Sequence, residues 1–171
     1  MATLLDLRVY LGRLAATLWN YGADFPVPSL DPYDDGAVGF DLVATLPGVS
    51  VPKPAIIKIA EVWTPRRTGE TRDYVRAEYT YDFVEHPLNR RRAFHRHDEG
   101  DFLREHGVAV HEHCEEVLEQ PACDHYFGLP VDGDEAIRRF MILWGQTSPL
   151  GCSQLRCIGW DRSKRWVGAS T

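Results

Sequence analysis

Leucines recur at spacings of three and four residues near the start of the chain and predict its first element. They stand at positions 4, 7, 11, 14 and 18. Because an α-helix turns once every 3.6 residues, these leucines share one face, and residues 3–20 are predicted to form an amphipathic helix. The stripe is typical of a core-facing helix, although it also suits a partner helix. Residues 21–37, rich in Pro, Gly and Asp, predict a long surface connection.

Strand patterns dominate the middle of the chain. Apolar runs and apolar–polar alternation predict strands at residues 38–46, 55–63, 73–84, 92–97 and 108–116, with a hairpin turn at residues 65–71. The clearest alternation puts Val75, Ala77, Tyr79, Tyr81 and Phe83 on one face and Arg76, Glu78, Thr80 and Asp82 on the other. Such a strand is covered on its apolar face and faces solvent or a ligand on the other.

A second helix is predicted near the end of the chain. It opens at Asp132, with Glu135 three residues later in capping-box spacing. Apolar residues at positions 137, 140, 141 and 144 then share one side. Residues 98–106 predict a short helix and residues 121–133 a loop.

These elements predict one α+β domain over residues 1–171. Its sheet is mainly antiparallel, has four or five strands, and is flanked by an N-terminal and a C-terminal helix. The sheet and helix core occupies residues 38–146, and residues 147–171 form an irregular tail. The length of 171 residues is sufficient for one domain with a hydrophobic core.

Composition narrows the classes of function. A formal net charge of -6 argues against a general nucleic-acid-binding surface, although it leaves room for a local basic patch. The sequence contains no run of about 18 apolar residues, so no membrane-spanning helix is predicted. The first residues lack the pattern of a secretory signal. The four cysteines therefore indicate free thiols or metal ligands rather than disulfides. We expect a cytoplasmic protein that is not associated with a membrane.

Histidines are concentrated in two His-x-His pairs, His95 with His97 and His111 with His113. Residues two apart in a strand point to the same face, so four imidazoles would converge if the two strands are neighbours. The opposite-face residues are apolar: Phe94 in the first strand, and Val108 and Val110 in the second. The histidine face is therefore predicted to point away from the core.

A metal site is one interpretation of this pattern. Thiolate and imidazole together select zinc, and cysteines and a further histidine follow the second pair. The predicted ligands are His111, His113, Cys114, Cys123 and His125. Their spacing matches neither C-x-x-C nor H-x₃₋₅-H, so the pattern is not that of a standard structural zinc site. The expectation for cofactors is accordingly either none or zinc.

A metal-free acid–base site is the second interpretation. Cleavage of RNA through its own 2′-hydroxyl needs one histidine to accept a proton, another to donate one, and a cation for the phosphorane oxygens. The candidate catalytic residues are His95, His97, His111, His113, Arg92 and Arg96. A solvated strand face that is merely rich in histidine is the third interpretation, and these alternatives stay open at the level of sequence.

The same region carries a resemblance to known proteins, in the segments EYTYDFVEHPLNRRRAFHRHD, VAVHEHCEE and CDHYFGLPV. They resemble a group of small, uncharacterised bacterial proteins that combine a Tyr-rich strand with AFH-x-HD and HEHCE-type segments. In outline the chain is also similar to the TumE-type toxins of toxin–antitoxin pairs. The resemblance covers residues 57 to about 130. It implies a toxin with an antitoxin-like protein as its partner.

Two functions from different classes follow. The first is a histidine-dependent, ribonuclease-like toxin acting on RNA, favoured by the basic runs RRTGETR and NRRR. The second is a non-enzymatic interaction module, with or without a stabilising metal, that binds a protein partner. The acidic net charge favours the second. The leucine stripe is expected to pack on the sheet of its own chain, and a homodimer through this stripe is the alternative.

Overall fold

The computed structural model describes residues 2–48, 53–68, 71–96, 104, 109–115, 123–127 and 130–145, and at residues 68, 71, 114, 115 and 123–127 it describes the backbone only. The elements within these ranges are α1 (Leu4–Asn20), β1 (Asp31–Pro32), β2 (Val38–Leu46), β3 (Ala55–Thr68), β4 (Thr71–Glu85), a 3₁₀ turn (His86–Leu88), β5 (Arg90–Arg96), β6 (Val110–Glu115), β7 (Cys123–Phe127) and α2 (Gly133–Trp144).

The described strands form one antiparallel sheet in the order of the chain, from β1 to β7. This arrangement confirms the predicted α+β class with a helix near each end. The strand count of four or five was too low, because the described part of the sheet has six strands of five residues or more, and the two-residue β1 as well. One additional strand is β7, where the sequence predicted a loop. Its backbone pairs with β6 and so satisfies hydrogen-bonding groups that an edge strand would leave open.

Both helices pack on the same face of the sheet. The prediction for α1 is confirmed: Leu7, Leu11, Leu14 and Leu18 are buried, and a capping box between Thr3 and Asp6 begins the helix. The predicted start of α2 is also confirmed, since the side chain of Asp132 accepts a hydrogen bond from the backbone N–H of Glu135. Leu11, Leu14 and Leu18 of α1 join one hydrophobic core with α2 and strands β2 to β6, and Leu7 packs with Val38 and Tyr74 in a second cluster.

A bulge changes which residues of β4 face this core. The register with β3 shifts by one residue, so that Ala77 is the extra residue of β4. An extra residue reverses the alternation of side chains beyond it. Tyr74 rather than Val75 is therefore buried, and Arg76 reaches the core side, where it contacts Glu61. The predicted alternation was right for residues 79–83 and wrong for Val75 and Arg76.

Other strands begin or end a few residues from their predicted boundaries, and some predicted elements lie outside the described residues. The hairpin is longer than expected, because β3 continues to Thr68 and β4 begins at Thr71. β5 begins at Arg90, after Asn89 adopts a left-handed conformation with φ of 53°. The predicted helix at residues 98–106, apart from Arg104, and the tail at residues 147–171 lie outside the described residues. Neither described α-helix has the length and apolar character needed to cross a membrane.

Candidate functional site

Strands β5 and β6 bring three histidines to one face of the sheet. His95 pairs with His111, and His113 pairs with Ala93. Paired residues of antiparallel strands carry their side chains on the same face. The alternating residues Phe94 and Val110 belong to the hydrophobic core on the other face. The prediction that the histidine face points away from that core is thus confirmed for these three residues, whereas His97 lies outside the described residues.

The three imidazoles, which we call the histidine cluster, converge closely. One ring nitrogen from each of His95, His111 and His113 lies within 4.8 Å of the others. The Nε2 atoms of His111 and His113 are 2.8 Å apart and form a hydrogen bond. Ring centroids are 4.6 to 5.1 Å apart, and the rings meet edge to face rather than stacking. His111 is buried, and the other two rings are partly buried.

A small residue leaves room for this convergence. In the sheet register Ala93 lies between Asp82 on β4 and His113 on β6. Ala93 is fully buried, and its side chain is a single methyl group. A larger residue at this position would occupy space beside the imidazoles of the cluster.

Asp82 and Arg91 extend the site from β4 and β5. The Oδ2 atom of Asp82 is 3.7 Å from Nε2 of His95, and Oδ1 accepts hydrogen bonds from Nε and Nη2 of Arg91 at 2.7 and 2.6 Å. Burial opposes ionisation of Asp82, but the neighbouring His95 ring and the charge of Arg91 outweigh it and hold the pKa of Asp82 below its usual value. The carboxylate of Asp82 therefore lies ionised beside His95. The sequence placed Asp82 on the face away from the core without assigning it a role.

Arg92 and Arg96, the predicted phosphate-binding residues, lie elsewhere. Arg92 faces the core with 1% of its surface exposed. Its Nε and Nη2 atoms donate to Oε1 of Glu112 at 2.8 and 2.6 Å, and its guanidinium carbon is 5.5 Å from the centroid of the Phe94 ring. Arg96 lines a pocket of about 320 Å³ together with Tyr79 and Glu61. The structure thus places Arg92 on the opposite face from the histidine cluster, where it forms a buried ion pair.

The predicted metal ligands are described only in part. His111 and His113 belong to the histidine cluster, and the third member is His95, which the sequence assigned to the acid–base set. The side chains of Cys114, Cys123 and His125 lie outside the described part of the chain. Their backbones belong to β6 and β7, where Cys114 pairs with Cys123.

A second polar cluster lies in the core and was missed from the sequence. The carboxylate of Glu61 accepts hydrogen bonds from Tyr10 at 2.7 Å, from Trp63 at 2.7 Å and from Arg76 at 3.2 Å, and also from the hydroxyl of Tyr81. Burial and the charge of Glu61 raise the pKa of both tyrosines above the usual value. This cluster ties α1 to β3 and β4 on the face opposite the histidine cluster.

Comparison of the chain with protein-family models, with curated proteins and with solved structures finds no match. Three imidazoles with converging nitrogens can ligate a transition-metal ion or exchange protons with a substrate.

Proposed function

We propose that this protein binds a divalent transition-metal ion such as zinc through His95, His111 and His113. The observation that supports this proposal is that one nitrogen from each ring lies within 4.8 Å of the others. Zn–N bonds of about 2.0–2.1 Å at tetrahedral angles separate ligand nitrogens by about 3.3–3.4 Å. Small ring movements would bring the three nitrogens to that spacing.

The composition of the site supports a metal with an open position. Imidazole ligands suit zinc, copper and nickel, and three protein ligands leave the fourth tetrahedral position for water or a substrate. A metal in such a site can polarise a substrate or lower the pKa of its bound water. Asp82 lies 3.7 Å from Nε2 of His95, and a carboxylate beside a histidine ligand commonly supports it.

Metal content and metal-dependent stability test the proposal. The purified protein is analysed for zinc, freed of metal with a chelator, and titrated with zinc while the melting temperature is followed. Zinc should raise the melting temperature, because a ligand that binds only the folded state stabilises it by about 2.7 kcal/mol at one hundred times its Kd.

The variant His113→Ala should weaken zinc binding at least tenfold, because it removes one of three ligands. The matched control is His86→Ala, since His86 is exposed in the 3₁₀ turn. An absence of any zinc-dependent stabilisation, or an equal stabilisation of the His113 variant, would contradict the proposal. Circular dichroism of both variants separates loss of binding from loss of folding.

A metal-free ribonuclease is the second candidate, and the hydrogen bond between His111 and His113 favours it. In such a bond one ring donates and the other accepts, so the pair offers both a proton donor and a proton acceptor. In this mechanism one histidine takes the proton of the RNA 2′-hydroxyl and another protonates the departing 5′-oxygen. Arg91 supplies a cation beside the histidine cluster, and it already binds Asp82.

RNA cleavage in the presence of a chelator distinguishes the two candidates. A ribonuclease of this kind should produce 2′,3′-cyclic phosphate ends without metal. His97→Ala should lower its rate by about 10²–10⁴-fold if His97 transfers a proton, while His86→Ala should change little. Equal losses in both variants would indicate misfolding, and cleavage that stops with the chelator would favour the metal-dependent site.

A further inference from the structure

Helix α1 carries a second apolar stripe on the side opposite its buried leucines. Its members are Leu5, Val9, Gly12, Ala16 and Trp19, spaced by four, three, four and three residues. Residues at this spacing lie on one face of a helix. Leu5, Val9 and Trp19 are 69%, 65% and 75% exposed. Helix α1 is therefore apolar on its solvent side as well as on its core side.

Gly12 stands at the centre of this outer stripe. Glycine in the interior of a helix weakens it relative to alanine. A Cβ atom built at Gly12 would meet nothing within 4 Å, so the packing of the chain itself does not require glycine there. Small residues at Gly12 and Ala16 allow the backbone of a second helix to approach closely.

A groove continues the outer stripe on one side. It has a volume of about 500 Å³ and is lined by Arg8, Leu11, Gly12 and Ala15 of α1 and by residues 27–30 of the following connection. Val27 on the wall of this groove is 92% exposed. The apolar surface is thus wider than the helix, as a docked helix requires.

Two arginines of α1 stand beside the stripe, although the chain as a whole has a net charge of -6. Arg8 flanks it on one side and Arg13 on the other, and both are exposed. Arg13 also contacts Asp134 at 2.5 Å. A second copy docked around Gly12 would bring its own Arg13 close to this one, which is unfavourable for like charges. Acidic side chains of a partner would complement Arg8, and beside Arg13 they would add to the contact that Asp134 already makes.

We propose that the outer stripe of α1 is the docking surface for an amphipathic helix of a protein partner whose apolar face is flanked by acidic residues. This surface is separate from the histidine cluster and does not depend on metal binding. The apolar stripe supplies the contact area, and Gly12 lets the partner helix approach closely. The two arginines favour a partner with acidic flanking residues.

Two synthetic helical peptides test this proposal on the full chain. Both carry leucine at heptad positions a and d, and they differ only in having glutamate or lysine at positions e and g. The glutamate peptide should bind, and the lysine peptide should bind about tenfold more weakly. Reversal of the charges in Arg8→Glu/Arg13→Glu should invert this preference.

The variant Gly12→Gln separates docking from folding. Glutamine favours a helix more than glycine does, and space is open at this position, so the variant should fold at least as well as the wild type. It should nevertheless bind the glutamate peptide about tenfold more weakly, because its side chain blocks the approach. Val43→Gln, at a residue 46% exposed on the other face of the sheet, is the matched control and should bind normally.

Four outcomes would overturn the proposal. The glutamate peptide could fail to bind, the two peptides could bind equally, or Gly12→Gln could leave affinity unchanged. The fourth is binding of a different occupant through the same stripe. Light scattering would reveal a dimer that Gly12→Gln disrupts, and sedimentation with vesicles of phosphatidylcholine and phosphatidylglycerol would reveal a lipid surface.

Discussion

At the scale of single residues, the histidine cluster has a charged neighbour, Asp82, beside His95. Asp82 lies between the guanidinium of Arg91 and the ring of His95. The carboxylate is mostly buried, so its ionised form depends on these two neighbours. On the core face Glu112 has a comparable position beside Arg92. Buried charges in proteins persist where such partners surround them.

The pKa of Asp82 leads to a prediction about stability and pH. Its folded-state value lies below the usual 3.8, so the ionised carboxylate stabilises the fold above about pH 4, and this contribution is lost as the pH falls through the folded-state pKa. Asp82→Asn should therefore lower the free energy of unfolding at neutral pH by about 1–3 kcal/mol. The deficit relative to the wild type should shrink in acid. Urea unfolding at a series of pH values measures both effects.

The control for this prediction is Asp41→Asn on the same face of the sheet. Asp41 pairs with Lys58 at 3.2 Å, but the two side chains are 55% and 44% exposed. Exposed ion pairs contribute about 0–1 kcal/mol, so this variant should differ little from the wild type at any pH. A deficit for Asp82→Asn that is constant from neutral to acid pH would show that ionisation of Asp82 does not stabilise the fold.

At the scale of elements, α1 shows how two apolar faces of one helix differ. Leu11, Leu14 and Leu18 on its inner face belong to the core shared with the sheet and α2, whereas the outer stripe is exposed. Other elements are anchored by polar contacts. The buried Arg90 of β5 forms an ion pair with Glu85 and donates to the carbonyl of Leu143 at 2.7 Å, which ties the end of α2 to the sheet.

Aspartate placed on the two faces of α1 should have opposite consequences. Leu11 is 4% exposed, and Val9 is 65% exposed. Leu11→Asp should lower the free energy of unfolding by roughly 4 kcal/mol, because an unpaired charge enters the core. Val9→Asp should change it by less than about 1 kcal/mol. Urea denaturation and size-exclusion chromatography measure the pair, and a folded Leu11→Asp variant of normal stability would refute the assigned packing of α1.

At the scale of the whole molecule, Glu61 links elements that are distant in sequence. Its carboxylate joins Tyr10 of α1 to Arg76 and Tyr81 of β4. The hydroxyl of Tyr10 in turn accepts the backbone N–H of Gly133 at 3.1 Å, at the start of α2. One buried carboxylate therefore connects both helices to the centre of the sheet.

Loss of this carboxylate should weaken the whole domain rather than one element. Glu61→Leu should lower the free energy of unfolding by about 3–5 kcal/mol, because it leaves Arg76 without its buried anion. Tryptophan fluorescence and far-UV circular dichroism should still report one common transition. Glu78→Gln, at an exposed acid of β4, should change little. If Glu61→Leu were as stable as this control, the hydrogen bonds of Glu61 would contribute no net stability.

Local geometry explains which features could be predicted from the sequence. The leucine spacing specified α1 because helical periodicity depends only on neighbouring residues. Asp132 and Glu135 marked the start of α2 for the same reason, since a cap is a contact between residues three apart. Period-two spacing likewise predicted that His111 and His113 share a face turned away from the core.

The sequence by itself thus determined the α+β class, the two helices and the orientation of His95, His111 and His113, because each follows from short-range periodicity. Only the tertiary structure decided that His95 meets His111, that Asp82 lies beside His95, and that Arg92 is buried against Glu112. These contacts depend on the register between strands, which is set by packing across the sheet. The bulge at Ala77 shows the same dependence, since a single extra residue moved Arg76 from the predicted solvent face into the core.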